Sequence, residues 1–152
     1  MKRKIIQLIA AFAVLLLAGC GSPGDDAPEI HFTGEWHLTQ WNGTAPTEFD
    51  AYIAFHEDRT FAIYQQIEQI EYQHFSGRWT YDGELLSGIY DDGTPWGSAY
   101  EVVLNETHDV LTLTSRTAIG EVSVYRRTTV PEEIKGSVVP STASRTETVR
   151  LL

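Results

Sequence analysis

Alternating apolar and polar positions run through the middle of the chain in short stretches. Between about residues 31 and 130, no long segment shows the spacing of an amphipathic helix. Instead, β-branched and aromatic residues cluster in runs that are separated by turn residues, which predicts an all-β domain over 31–130. The predicted strands are eight in number: 34–41, 50–57, 60–67, 72–81, 84–90, 98–104, 109–115 and 120–128.

The connections between these runs are short, which predicts antiparallel neighbours along the chain. Tyr81-Asp82-Gly83-Glu84 carries the Asp-Gly signal of a tight hairpin, and residues 56–60 and 105–109 connect other pairs in the same way. Eight strands hide their two edges best by closing on themselves. The pattern therefore predicts an eight-stranded antiparallel up-and-down barrel. A sandwich of six plus two strands would have the same alternation and is the alternative.

Alternation along the runs assigns side chains to the inside or the outside of the barrel. Gln40 and Gln65 fall in the apolar phase of their runs, which predicts two inward polar groups. Trp41, Tyr64 and Tyr125 fall in the opposite phase and are predicted to face outward. A barrel of eight strands is just wide enough to be filled by its own side chains or to hold one small ligand.

The first 19 residues have the layout of an export signal. A basic start, Lys2-Arg3-Lys4, precedes an apolar stretch over 5–18, which is shorter than the roughly 20 residues that span a bilayer. Cys20 follows directly and is the only cysteine, so an intrachain disulfide is excluded. We interpret residues 1–19 as a signal peptide that is removed from the mature protein.

Leu17-Ala18-Gly19-Cys20 resembles the lipobox of bacterial lipoproteins. The resemblance implies diacylglycerol on the Cys20 sulfur, cleavage before Cys20 and acylation (palmitate) that anchors the protein in a membrane. Residues 20–30 would then be a flexible tether. Gly21 implies delivery to the outer membrane, and Asp25-Asp26 resembles the acidic patch of surface-exported lipoproteins of Bacteroidetes. The expected location is the cell envelope, facing the periplasm or the cell surface.

The charge balance argues against several classes of partner. The chain has 21 Asp and Glu against 11 Lys and Arg, a formal net charge of −10, and three of the bases lie in the signal peptide. An acidic surface disfavours nucleic acid and anionic membrane faces. Residues 131–152 are rich in Ser and Thr without a useful period, which predicts a largely disordered tail after about Lys135.

Several stretches of the body resemble the lipocalin-like lipoproteins common in Bacteroidetes. They are FTGEWHLTQWNG, AYIAFHEDRTFAIYQ, FSGRWTYDGELLSGIYDDGTPWGSAYEV, LTLTS and VSVYRRTTVPEEIK, which together span most of 32–135. The resemblance implies a calycin-like barrel that binds a small ligand, without naming the ligand. Lipocalins open with Gly-x-Trp and close with an Arg on the last strand.

Gly34-Glu35-Trp36 and either Arg126 or Arg127 match that opening and closing pattern. Because the first and last strands of a closed barrel pair, the Arg can lie over the Trp ring. Arg126 shares the phase of the neighbouring valines, so Gly34, Trp36 and Arg126 are the predicted structural clasp.

The stretch LSGIYDDGTPWGSAYEV, residues 86–102, raises the question of function because its turn carries a tryptophan. Trp96 either packs back to cap the core or, with Tyr90 and Tyr100, forms an aromatic rim for a ligand. In an up-and-down barrel Trp41 lies at the same end, so that Trp41 and Trp96 would be two sides of one mouth. The predicted ligand-binding residues are Gln40, Trp41, Gln65, Tyr90, Trp96 and Tyr100.

Motifs for other chemistry are missing from the sequence. The five histidines include no His-x-His pair, and there is no nucleophile motif or phosphate loop. We therefore expect no enzyme activity, no metal and no cofactor. The leading hypothesis is a membrane-anchored binder of a small, partly apolar molecule at one barrel end. The alternative is an envelope interaction module that binds a protein or glycan through outward aromatics, namely Trp41, Tyr64 and Tyr125.

Overall fold

The chain folds into a closed, eight-stranded antiparallel barrel. The computed structural model describes residues 29, 31–68, 70–117, 121–137, 139–140 and 149–152. Each strand pairs with the next, and β1 pairs with β8 to close the barrel, so the predicted up-and-down barrel is confirmed and the sandwich is excluded. The strands are β1 Gly34–Trp41, β2 Phe49–Phe55, β3 Thr60–Ile67, β4 Gln73–Tyr81, β5 Leu85–Tyr90, β6 Tyr100–Leu104, β7 Val110–Ser115 and β8 Val122–Arg127.

Short elements follow the barrel. A helix, α1, spans Glu132–Gly136, and a two-residue strand, β9 (Val139–Pro140), pairs in parallel with the start of β4. In the part of the chain that the structure describes, no helix is long and apolar enough to cross a membrane. The predicted signal peptide and Cys20 lie outside the described residues, and so does the tether except for Glu29.

The helix covers part of the outer face of the barrel. Glu35 accepts a hydrogen bond from the backbone N–H of Val130 at 2.6 Å, and Lys135 Nζ lies 3.1 Å from the same carboxylate. Val130 and Ile134 are both buried. The disordered tail was predicted to begin after about Lys135, so α1 lies almost entirely before it, whereas β9 lies within it.

The barrel interior is filled by the chain's own large side chains. Alternate residues of each strand point inward, as the pleat requires, and those of β2 and β3 are buried almost completely. The largest side chains with almost no exposure are Trp36, Trp79, Tyr125, Phe32, Phe55 and Phe61.

One end of the barrel is sealed by Phe32, which directly precedes β1. This end, the far end, contains the first residues of β1 and the last residues of β2, β4 and β8. The Phe32 ring packs edge-on against Phe55, Trp79 and Tyr81, with centroid distances of 5.2–5.4 Å. Its carbonyl accepts the indole N–H of Trp36 at 2.8 Å. Ligand access at this end would require displacing this aromatic cluster.

Arg127, rather than the predicted Arg126, completes the clasp with Trp36. Its guanidinium carbon lies 4.2 Å from the Trp36 ring centroid, and Arg127 is the register partner of Trp36. Nε donates to the carbonyl of His108 at 2.7 Å and Nη1 to that of Thr33 at 2.8 Å. Arg126 points outward, its side chain 65% exposed and 3.8 Å from Asp109, so the prediction of Arg126 was wrong.

The error follows from the orientation of β8. Ser123 and Tyr125 are buried and face inward, whereas Val122 and Val124 are only partly buried. The predicted phase of this strand, with Tyr125 outward, was therefore wrong. Valine is favoured on both faces of a sheet, so its presence does not identify the inner side.

Gly34 fits the clasp for two physical reasons. Its φ of +128° lies in a region that residues with a Cβ rarely adopt. A Cβ at this position would also lie only 2.4 Å from Nη1 of Arg127. The Gly-x-Trp pattern therefore places a residue without a side chain beneath the arginine that covers the tryptophan.

We predict that Arg127→Ala lowers the free energy of unfolding by about 1–3 kcal/mol, because it removes the contact with Trp36 and the bonds to backbone carbonyls. Arg126→Ala is the matched control and should change it by less than about 0.5 kcal/mol. Urea denaturation followed by tryptophan fluorescence measures both. Equal effects of the two substitutions would contradict the assignment of the clasp to Arg127.

Candidate functional site

The strand ends opposite the far end form an opening that we call the mouth. Its rim contains Trp41 at the end of β1, Phe49 at the start of β2 and Ile67 at the end of β3. Tyr90 at the end of β5 and Tyr100 at the start of β6 complete it. Antiparallel order alone brings these residues to one end, as was predicted for Trp41, Tyr90 and Tyr100.

A segment from the end of the chain occupies the mouth. We call residues 149–152 the plug. Leu151 and Leu152 are only 6% and 5% exposed and belong to the same apolar cluster as the barrel core. Residues 149–152 fall in the stretch whose composition predicted a disordered tail, and nothing in that prediction placed them in the barrel. Residues 141–148, which precede the plug, lie outside the described residues.

Gln65 holds the backbone of the plug. The side chain is completely buried on β3, as its inward phase predicted. Nε2 donates to the carbonyl of Val149 at 2.6 Å, and Oε1 accepts the N–H of Leu151 at 2.9 Å. Only this orientation of the amide matches donors with acceptors, so both polar ends of a buried side chain are satisfied by one stretch of backbone.

Arg150 of the plug lies in a pocket with one acid and two rings. Its guanidinium forms two hydrogen bonds with Asp92, one at 3.3 Å from Nη1 to Oδ1 and another from Nη2 to Oδ2. The guanidinium carbon lies 4.4 Å from the Tyr90 ring centroid and 5.2 Å from that of Phe75. Hydrogen bonds from Arg150, and next from the backbone N–H of Thr94, hold the pKa of Asp92 well below its usual range.

Tyr90 connects this pocket to the end of the plug. Its hydroxyl donates to the carbonyl oxygen of Leu152 at 2.7 Å. Burial raises the pKa of Tyr90 above its usual range, and burial raises that of Tyr100 to about 12. Both phenols therefore stay neutral at ordinary pH, so the Tyr90 hydroxyl keeps the proton that it donates.

The turn at 91–97 folds back onto the barrel. The backbone N–H of Trp96 donates to the carbonyl of Gly88 at 2.9 Å. The Trp96 ring packs so closely over Gly88 that a Cβ on that residue would lie only 2.4 Å from it. The ring packs edge-on against Phe61 at 5.1 Å and Tyr100 at 6.1 Å. Trp96 is thus part of the core inside the barrel rather than of the exposed rim. Its Nε1–H has no hydrogen-bond partner among the described residues.

The two predicted site residues on β1, Gln40 and Trp41, lie on the opposite sides of the sheet from those predicted. The pairing of β1 with β8 shifts register between Leu38 and Gln40, which marks a β-bulge at Thr39. Gln40 is consequently exposed, so its predicted inward position was wrong. Trp41 turns toward the mouth and packs edge-on against Phe49, with ring centroids 5.8 Å apart.

Three shallow depressions surround the plug. One of about 250 Å³ lies beside Trp41, Phe49 and Ile67. Others of about 220 Å³ and 200 Å³ lie against Asp92 and against Tyr100. Arg150 lines all three, so the plug divides what would be one larger opening.

The outward aromatics do not form a continuous surface patch. Tyr125 is buried in the core, and Trp41 is at the mouth. Tyr64 is partly buried on the outer face and contacts the His74 ring at 4.9 Å. The feature that would have favoured an interaction surface built from these three residues is therefore absent. The same outer face carries a polar cluster in which His37 Nε2 lies 2.7 Å from Asp50.

Part of the chain matches a known protein family. A family model for the lipocalin-like domain matches residues 32–117, from Phe32 through β7. No match was found among curated proteins. The matched stretch includes Trp36, Gln65 and the turn that contains Asp92 and Trp96, whereas β8 and the plug lie beyond it.

We predict that docking of the plug weakens in acid. Because the pKa of Asp92 is lowered when Arg150 is docked, this stabilisation is complete above the ordinary Asp range of about 4 and is lost as the pH falls below it. Hydrogen exchange of the Leu151 amide, corrected for its intrinsic rate, measures docking. Asp92→Asn should reduce protection at pH 7 and remove this pH dependence.

Asp91→Asn is the matched control, because Asp91 bonds to Ser76 and not to Arg150. This variant should keep both the protection and its loss in acid. Full protection of Leu151 in Asp92→Asn at pH 7 would refute the role of the ion pair.

Proposed function

Because the chain belongs to the family of lipocalin-like domains, we propose that it binds a small, partly apolar molecule at the mouth of its barrel. A lipocalin-like barrel suggests binding of small hydrophobic ligands in general. The observation that carries this proposal is the lining of the mouth. Apolar walls from Trp41, Phe49 and Ile67 stand beside the charged groups of Glu121 and Arg150, and the amide of Gln65 is buried at the same end of the barrel. That combination is typical of small-molecule sites.

The mouth is favoured over the interior because the interior is filled. Phe32 seals the far end, and Trp96 occupies the space over Gly88. The depression of about 250 Å³ beside Trp41 is smaller than the roughly 300 Å³ at which typical ligand pockets begin. A ligand of ordinary size would therefore need space that the plug now takes.

We propose a binding role rather than an enzymatic one, without metal or cofactor. The main polar groups of the mouth already form hydrogen bonds with the plug, since Gln65 and Tyr90 bond to its backbone and Asp92 bonds to Arg150. Where the structure describes the chain, no three His, Cys, Asp or Glu side chains come together as metal ligands.

We also propose that the protein is a lipoprotein of the Bacteroidetes type, anchored through lipid on Cys20. The support is the sequence Leu17-Ala18-Gly19-Cys20 after a basic and apolar leader. Residues 20–30 would reach at most roughly 35 Å when extended. Such a tether would keep the barrel close to the membrane, on the outer membrane in this proposal, where apolar molecules partition.

The ligand proposal is tested by recovering bound molecules from the full chain after purification from its native host. Mass spectrometry of a denatured sample should find one small compound in stoichiometric amount. Trp41→Ala should lower its affinity by about tenfold or more, because it removes an aromatic wall worth at least about 1.4 kcal/mol.

Ile89→Ala is the matched control, because Ile89 is 55% exposed and does not line the depression beside Trp41. It should leave the amount of bound compound unchanged. A wild-type protein that is well folded and free of any such compound would count against the proposal.

The anchor proposal predicts that Cys20→Ser moves the protein from the membrane fraction to the soluble fraction. The substitution removes the sulfur that would carry diacylglycerol, so labelled palmitate should no longer be incorporated. Ultracentrifugation of cell lysates, with metabolic labelling, measures both. Membrane attachment that survives in the variant would show that the lipid is not the anchor.

A further inference from the structure

We infer that the mouth is a binding site for an extended peptide in which an arginine is followed by two branched aliphatic residues. The chain fills this site with its own residues 149–152, which a partner peptide of the same chemistry would displace. The inference rests on the proposed function, because it takes the mouth as the ligand site and specifies the class of ligand.

Gln65 recognises a peptide backbone rather than a particular side chain. Its amide donates to one carbonyl and accepts from the N–H two residues further along, at 2.6 and 2.9 Å. A neighbouring strand offers the same alternation of donor and acceptor, so any extended peptide could take this position. A purely hydrocarbon ligand would leave both ends of this completely buried amide without partners.

A second feature selects a cation beside that backbone. Asp92, Tyr90 and Phe75 surround the guanidinium of Arg150, and all three belong to the barrel rather than to the plug. Tyr90 and Phe75 hold each other edge-on, with centroids 6.0 Å apart. Asp92 accepts the backbone N–H of Thr94 at 2.9 Å within its own turn. The pocket is therefore built before the arginine enters it.

Apolar contacts define the next two positions of the peptide. Leu151 and Leu152 are buried among the core side chains, and Leu151 also borders the depression beside Trp41. The Tyr90 hydroxyl bonds to the carbonyl of Leu152, so the backbone is held again beyond the aliphatic side chains. Three backbone hydrogen bonds, one charge contact and two apolar positions together describe a short peptide.

The arrangement also explains why an occupant is needed. Without the plug, the three depressions around it would join, and the completely buried amide of Gln65 would lose both of its hydrogen-bond partners. The plug is covalently attached, which gives it an effective concentration in the millimolar range against a free competitor. A partner peptide must therefore compete with the plug, and removing the plug should expose the site.

The experiment compares the full chain with a variant that lacks residues 149–152, both in phosphatidylcholine vesicles with protein-free vesicles as the blank. The probe is a fluorescein-labelled peptide that ends in Val-Arg-Leu-Leu, and its anisotropy reports binding. The shortened variant should bind the peptide at least about tenfold more tightly than the full chain. Peptides ending in Val-Glu-Leu-Leu and Val-Arg-Ser-Ser should each bind at least about tenfold more weakly.

A substitution in the barrel separates specific recognition from general stickiness. Gln65→Met in the shortened variant keeps the length of the side chain and removes the amide, so it should weaken peptide binding by about tenfold or more. Should the shortened variant fail to fold, Arg150→Glu in the full chain replaces it. This change turns the attraction to Asp92 into repulsion and should also admit the peptide.

Equal binding by the full chain and the variant with an open mouth would overturn the inference, as would binding that ignores the Arg-to-Glu change in the peptide. A variant that retains the co-purified small molecule but binds no peptide would refute the peptide class while leaving the proposed function intact. Peptide binding by a protein from which no small molecule is recovered would support the inference, with the peptide as the ligand of the mouth.

Discussion

The pairing of β1 with β8 is the constraint on which the rest of the structure depends. It turns a meander with two open edges into a closed cylinder and thereby sets the width of the interior. The same pairing places Arg127 opposite Trp36 and Tyr125 opposite Leu38. The large rings then fill the interior from the far end, and Phe32 seals that end. The mouth is the end of the barrel that these rings leave open.

The turn after β5 contributes to that site in two directions at once. Trp96 enters the barrel over Gly88 and fills the interior beneath the mouth. Asp92, at the tip of the same turn, faces outward to Arg150. A tryptophan in so short a connection therefore has a physical explanation. The chain reverses after Asp91-Asp92-Gly93. The Thr94 carbonyl accepts the N–H of Tyr90, and the Trp96 N–H donates to the carbonyl of Gly88. These bonds to β5 fix the positions of Asp92 and Trp96.

Local patterns were sufficient to predict the strands and which of their ends meet. Alternation and turn residues set each strand within two residues of its observed bounds, because both signals act between neighbours in the chain. They failed where a single residue changes the outcome. The bulge at Thr39 reversed the sides of Gln40 and Trp41, and the valines of β8 concealed the inward phase of Tyr125. In both places the deciding contact is with a strand far away in the sequence.

Only part of the role of Gln65 is predictable from the sequence. Its inward position was readable from β3, and a buried amide requires partners. The partners, however, lie more than 80 residues away in the chain, in a segment whose composition carries no strand or helix pattern. No periodic pattern in the sequence of the plug marks it as buried, because its burial comes from contacts with the mouth. A short peptide without intrinsic structure, held by the amide of Gln65 and the carboxylate of Asp92, meets the requirements of a ligand. The plug is therefore better described as an occupant of the mouth than as part of the barrel wall.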